Sequence, residues 1–328
     1  MGSYSLRQLI EVARSLGAQP ALGRLAYPLR QRFYEARYPP GSAEPRSFAG
    51  AVVTMLRQRE APIQDRTLGS VESYLVDGRA VDLTCGNGVL RLEVMADDLI
   101  HLHLFQGARS GGYPQRPSLP FSYALDPETE WPPFPFEVQE VGTPVEAVLI
   151  RTERITCRVE KAPCRVIFLD AQGQPLSEAS DGLGFRSKGA YWTRRLVEGE
   201  AIYGLAEKTF DLNLRGQTVE MWNTDPEGYQ PGVDPINLCI PMLVGLREGR
   251  AYGLFFDNPG RARFDLGQKQ HDRLRYTADT GELCAYFFGG GTISAVLERY
   301  TQLTGRMPLQ PRWMLGYHQS RWSYHPEE

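Results

Sequence analysis

The sequence predicts a mainly β chain built around one large antiparallel β-sandwich. Three observations carry that reading: many apolar runs of strand length, Gly and Pro between them, and few stretches of helical period. The 33 glycines and 24 prolines among 328 residues supply the turns that a chain of short strands requires. The expected limits are a helical extension with its linker over 1–48, the sandwich over 49–291, a linker helix and joint over 292–310, and a final extended segment over 311–328.

In the extension, Leu6, Leu9, Ile10, Ala13 and Leu16 recur at helical spacing, with Ser5 placed to cap the start and Gly17 the end. A second helical pattern follows Pro20 through Leu22, Leu25, Leu29 and Phe33, kinked at Pro28. Arginines outnumber acids here, so a membrane-surface or partner-binding helix is the alternative to a packed or loosely attached arm. Pro39-Pro40-Gly41-Ser42 marks the linker.

Strand patterns begin near residue 49. Residues 80–92 alternate around Gly86-Asn87-Gly88, a hairpin signal of the Asn-Gly type. Further strands are expected over 99–105, 147–152, 155–160, 165–169, 242–246, 252–256, 273–277 and 283–288, with turns at Asp77-Gly78 and Asp170–Gly173. Trp131 to Phe136, rich in Pro, reads as a stiff crossing segment. After Gly289-Gly290-Gly291, the spacing of Ile293, Val296, Leu297, Tyr300 and Leu303 predicts a helix capped by Thr292 and ended by Gly305. Those glycines lack the Lys and the spacing of a phosphate loop.

Composition narrows the function. With 36 Lys and Arg against 39 Asp and Glu, no clustered basic face for nucleic acid is visible. No apolar run approaches the ~20 residues of a membrane span. The N-terminus lacks the apolar core and cleavage site of a signal peptide, and a cytoplasmic protein is expected. Five cysteines without a CxxC pair read as buried reduced thiols. His101 and His103 share one strand face, but a zinc site needs three or four ligands, so no metal is expected. Asp97-Asp98 and Glu327-Glu328 are adjacent pairs, expected to face opposite ways along a strand and so unable to act together.

Two blocks concentrate polar and aromatic chemistry. One runs from YGLAEK (203–208) through Arg215-Gly216, MWNTDP (221–226) and Gly232-Val233-Asp234-Pro235 to Ile240-Pro241. Such a loop has what sugar recognition uses: carboxylates and amides for paired hydroxyls, and aromatic faces for the C–H surface of the ring. The plain alternative is a surface loop with Asx-turns before Pro. The other block is PRWMLGYHQSRWSY (311–324), read as a short strand at the mouth of a pocket.

In that order, these blocks resemble glycoside hydrolase family 31, the retaining α-glucosidase family. The resemblance covers about residues 200–328, and 50–200 fits at the level of fold. It implies a galactose-mutarotase-like β-sandwich followed by a (β/α)8 barrel, of which 311–328 is the truncated start. Asp225 matches a loop Asp that contacts sugar hydroxyls, and Trp322 an aromatic lining the pocket for the non-reducing sugar. His318 and Arg321 match supporting positions, and Glu207 a sandwich–barrel junction. Ser320 stands where many members carry Cys, and Ser323 where Gly is usual. The implied full protein removes terminal α-linked glucose from oligosaccharides without metal or organic cofactor. Its nucleophile and acid/base are Asp residues beyond 328, about 5 to 5.5 Å apart as retention requires. The alternatives are an α-xylosidase or other α-glycosidase of the family, or a non-catalytic carbohydrate-binding sandwich module.

Overall fold

The computed structural model describes residues 64–106, 122–144, 146–226 and 230–318. The helical extension expected over 1–48 and the first residues assigned to the sandwich, 49–63, lie outside the described residues. The strands are, in chain order, β1 (Asp65–Thr67), β2 (Val71–Asp77), β3 (Ala80–Cys85), β4 (Gly88–Ala96), β5 (Leu99–Phe105), β6 (Glu137–Val141) and β7 (Ala147–Arg151). Next come β8 (Ile155–Lys161), β9 (Cys164–Asp170), β10 (Pro175–Ser177), β11 (Ala179–Arg186), β12 (Gly189–Arg195) and β13 (Ala201–Gly204). Then follow β14 (Thr218–Met221), β15 (Met242–Arg247), β16 (Arg250–Phe256), β17 (Ala262–Leu266), β18 (Arg273–Ala278) and β19 (Leu283–Gly291), and after them helix α1 (Ile293–Thr304).

They form an eight-stranded sheet (β13-β15-β16-β19-β5-β4-β3-β2), a six-stranded sheet (β1-β11-β12-β18-β17-β14) and a five-stranded sheet (β10-β9-β8-β7-β6). Every pairing between these strands is antiparallel, as the hairpin signals predict. One apolar core joins all three sheets, with Leu102, Phe256 and Phe287 from the eight-stranded sheet, Trp192, Phe264 and Tyr276 from the six-stranded, and Ile150 and Phe168 from the five-stranded.

Strand β5 shows how pattern becomes packing. Ile100, Leu102 and Leu104 enter that core, while Leu99, His101 and His103 alternate onto the opposite face, where they too are buried. A second cluster explains the cover. Val296 and Leu303 of α1 pack on Met95, Leu99, Phe255 and Phe288, and Tyr300 meets Phe255 edge-on at 5.5 Å. The helix starts as its sequence predicts: the Ala295 N–H donates to Thr292 Oγ1 at 3.2 Å. It ends at Gly305, whose φ of 90° suits a residue without a Cβ. The Trp131–Phe136 segment is irregular and covering, with Phe134 and Phe136 against the main core and Trp131 against the second.

Several expectations change. The turn between β3 and β4 is Gly86-Asn87, because Cys85 pairs with Gly88. Gly88 is needed for close approach instead, since a Cβ there would sit 2.8 Å from Phe105 O and from the Phe185 ring. Gly289, Gly290 and Gly291 extend β19 past the strand expected over 283–288. A Cβ on Gly289 would meet Ile155 Cγ2 at 2.2 Å, and one on Gly290 would meet Val296 N at 2.8 Å. Asp97 and Asp98 sit in the β4–β5 turn rather than on a strand, so their carboxylates converge. Arg299 of α1 binds Asp98 through Nε at 2.7 Å and Asp97 through Nη2 at 3.2 Å, tying the helix to the sheet. The expected strand from 311 is a 3₁₀ turn over Arg312–Leu315. An extended segment is held by flanking strands; none pairs with 311–318 among the described residues. Local bonds prevail there, Met314 N to Pro311 O at 2.9 Å and Gly316 N to Trp313 O at 3.3 Å.

Among the described residues no helix is long and apolar enough to cross a membrane. Cys85, Cys157 and Cys164 are buried free thiols, whereas Cys239 and Cys284 are partly exposed.

Candidate functional site

The first of the two polar blocks, 203–241, lies on the connections around β13 and β14. Strand β13 ends in an unusual bend: Gly204, Leu205 and Ala206 all have positive φ (101°, 60° and 66°). Two consecutive non-glycine residues in this region are strained by about 1 kcal/mol or more each. The bend persists because Leu205 is fully buried and its N–H donates to Met242 O at 2.8 Å. It turns Glu207 to solvent and Lys208 inward, where the Lys208 side chain is 3% exposed.

Lys208 meets a buried carboxylate. Its Nζ donates to Asp234 Oδ1 at 2.9 Å and to Glu220 O at 3.2 Å. The other oxygen, Asp234 Oδ2, accepts the Glu220 N–H at 2.5 Å. Burial pushes the Asp234 carboxyl above its ordinary range, opposed by the Lys208 ammonium. Neither residue stood out as a site in the sequence; a Lys and an Asp-Pro inside a polar loop look like ordinary surface until the fold buries both.

Asp225 lies four residues beyond β14, exposed, and its carboxylate has no hydrogen-bond or ion-pair partner among the described residues. The residue before it is fixed: Thr224 N–H donates to Ile236 O at 3.1 Å and Thr224 Oγ1 to Pro235 O at 2.8 Å. Trp222 is half-exposed, with the Arg261 guanidinium 5.9 Å from its ring centre. Leu212, Leu238 and Ile240 on the same connections are also exposed. Of the other expected site residues, His318 is exposed and its Nε2 lies 2.7 Å from Met314 O, to which it donates. Arg321 and Trp322 lie outside the described residues. The structure does not bring His318 and Asp225 together through any recorded bond.

His101 and His103 form a separate cluster on the outer face of the eight-stranded sheet. His101 lies with Nδ1 3.5 Å from Glu93 Oε2 and Nε2 3.1 Å from Cys284 Sγ, and its ring stacks on Tyr286 at 4.4 Å. His103 Nε2 is 2.6 Å from Glu282 Oε2. Among the described residues no group of three or more metal-ligating side chains converges. Burial pushes the His101 pKa down, while the hydrogen bond from His101, with Arg79 at 2.6 Å on its other oxygen, holds Glu93 at about 2.

The signs give a pH prediction. A neutral buried His101 resists protonation that the unfolded chain accepts below about pH 6.5, so stability falls as pH drops from there toward its lowered folded pKa. Glu93 adds a second loss as pH falls from its unfolded value toward about 2. Urea midpoints are expected to decrease from pH 7 to 5, and His101→Gln, which keeps a donor for Glu93, is expected to flatten that decrease. Equal slopes in both proteins would assign the loss to other groups.

Comparison with known proteins places the whole arrangement. Residues 89–265 match the glycosyl hydrolase 31 N-terminal galactose mutarotase-like domain. The chain belongs to glycoside hydrolase family 31. An alpha-glucosidase 2 of Bacillus thermoamyloliquefaciens is 33% identical over 264 residues, covering 80% of this chain and 32% of the relative. An alpha-xylosidase, XylQ, of Lactiplantibacillus pentosus is 35% identical over 117 residues, 36% of this chain and 15% of the relative. Among solved structures, a family 31 dextranase of Flavobacterium johnsoniae complexed with isomaltotriose superposes with a TM-score of 0.66 at 27% identity, over 77% of this chain and 30% of that one. The chain thus spans about a third of the length of the Bacillus enzyme and of the dextranase, and 15% of XylQ. The sandwich is its mutarotase-like domain.

Proposed function

We propose that the chain is the N-terminal part of an α-glucosidase-like hydrolase that removes terminal α-linked glucose from oligosaccharides with retention. Asp225 is its contribution to the sugar site. The observation that carries the reading is an exposed carboxylate without a partner among the described residues, on a loop whose neighbouring residue is fixed by two hydrogen bonds. A carboxylate left free on a rigid support can accept from sugar hydroxyls without reorganising first. The exposed apolar side chains on the same connections suit coverage by further protein. In this reading a (β/α)8 barrel follows, its two catalytic carboxylates lie beyond residue 328, Trp322 covers the apolar face of the non-reducing glucose, and His318 and Arg321 support it. No residue of this chain takes part in bond breaking.

Asp225→Ala in the full-length protein tests it. A charge-assisted hydrogen bond is worth about 1.5–3 kcal/mol, so kcat/KM should fall about ten- to a hundredfold with an unchanged melting temperature. Unaltered kinetics would return Asp225 to an ordinary turn residue. An α-xylosidase is the second reading, favoured by the match to the XylQ enzyme. Relative kcat/KM on aryl α-glucoside and aryl α-xyloside decides between them, a preference for the glucoside being expected.

A further inference from the structure

Lys208 is a buried ammonium beneath the Asp225 loop, and sugar recognition as described above gives it no task. An ammonium has three N–H donors, and here each faces a different segment: Asp234 at 2.9 Å, the carbonyl of Glu220 at 3.2 Å, and Cys239 Sγ at 3.7 Å. Glu220 is doubly held, because its N–H is taken by Asp234 at 2.5 Å and its carbonyl is also approached by the Cys239 thiol at 3.6 Å. Glu220 is the penultimate residue of β14, and the loop to Asp225 starts two residues later. Three residues past β14 and immediately before Asp225, Thr224 is bonded to Pro235 and Ile236, which follow Asp234 directly. The segment 220–224, which leads directly into Asp225, is therefore a short bridge with both ends attached to one shelf, 234–236. Lys208 is the group that fixes the shelf to the strand.

We propose that Lys208 is a positioning residue for sugar binding, holding the Asp225 loop in the conformation that presents its carboxylate. This rests on the reading of Asp225 as a sugar ligand. The strained Gly204–Ala206 bend is then explained by what it does: it aims Lys208 into the shelf. Removal of Lys208 leaves Asp234 buried without its counter-charge, in a site where burial already favours the protonated carboxyl. A protonated Asp234 can still accept one bond from Glu220, but the link to the Glu220 carbonyl and to Cys239 is lost. The loop then keeps its sequence and loses its register.

Two variants separate positioning from plain stability. Lys208→Met alone strands a buried carboxylate and should lower the melting temperature. Lys208→Met with Asp234→Asn removes both charges and keeps an oxygen for the Glu220 N–H, so most of the melting temperature should return. If Lys208 only stabilises the fold, the loop should recover as well. In the positioning role it should not: amide exchange at Thr224 in the double variant is expected to stay at least about tenfold faster than wild type. In the full-length enzyme KM should rise about tenfold with kcat within about twofold. Lys208→Arg keeps the charge but replaces a compact donor by a planar fork. It should fold normally and show intermediate exchange, so it decides the matter even if the double variant fails to fold. Wild-type exchange at Thr224 in either folded variant would overturn the proposal. The exchange result does not depend on sugar. Normal kinetics in Asp225→Ala with fast exchange here would sink the reading of Asp225 while leaving Lys208 as the holder of the loop.

Discussion

Glu200→Gln is expected to cost the fold about 3–5 kcal/mol, the usual loss when one partner of a buried ion pair is removed. Glu200 and Arg194 are both almost fully buried, deep beside the junction of the six- and eight-stranded sheets. Arg194 Nη2 donates to Glu200 Oε1 at 2.8 Å, and the Tyr252 hydroxyl bonds both side chains. Ser177 Oγ accepts from Arg194 Nε at 3.0 Å, and Glu200 Oε2 accepts the Val197 N–H at 2.9 Å. Burial alone pushes the Glu200 carboxyl upward; Arg194 and these hydrogen bonds outweigh it and hold the group below its ordinary range. Burial by itself would lower the Arg194 pKa, and the pairing with Glu200 and Tyr252 raises it instead. Gln keeps the shape and removes the charge, leaving an almost fully buried guanidinium without its counter-charge. Replacing both residues, Arg194→Met with Glu200→Leu, should cost less than the single change, because no uncompensated charge remains. Urea unfolding measures both; a single variant within about 1 kcal/mol of wild type would show that water enters this site.

This network also marks where the sequence was hard to read. The strands centred on apolar alternation, such as Leu99–Phe105, emerge at their expected places because each residue's face follows from period two. Strand β12 does not announce itself, since its buried end is an arginine whose partner arrives from a connection six residues on. Strand β11 carries Gly182 and Gly184 where a strand would ordinarily place side chains. Gly184 is required because a Cβ would lie 2.2 Å from Arg66 O on β1, a contact no local pattern reveals. The loop with Asp225 stands out in the sequence, because Asn, Thr, Asp and Trp stand together there. Its support does not, because Lys208, Glu220 and Asp234 meet only after three separate segments fold onto one another. For Pro311 to His318 the pattern pointed to a strand, but a strand is a property of its neighbours as much as of its own residues.

Phe287→Ala should lose a comparable 3–5 kcal/mol, for the opposite reason: it deletes apolar contact and leaves a cavity. Phe287 is completely buried on β19, a central strand of the eight-stranded sheet. Its ring stacks on Phe168 of the five-stranded sheet, with centroids 3.7 Å apart and planes within 4°, and faces Tyr252 at 6.0 Å. The residue therefore carries packing between two sheets and supports the tyrosine that closes the Arg194–Glu200 pair. A sheet cannot slide inward to fill such a gap without breaking its ladder of backbone bonds, so little of the cavity should collapse. Phe287→Leu retains most of the volume and should cost clearly less. If the cost comes from packing alone, Phe287→Ala and Glu200→Gln will add in the double variant; if Phe287 also holds Tyr252 in place, the double will lose less than the sum. The second outcome is expected, because Tyr252 bonds Glu200 directly and touches Phe287 on its other side. Simple additivity would place the two effects in independent parts of the core.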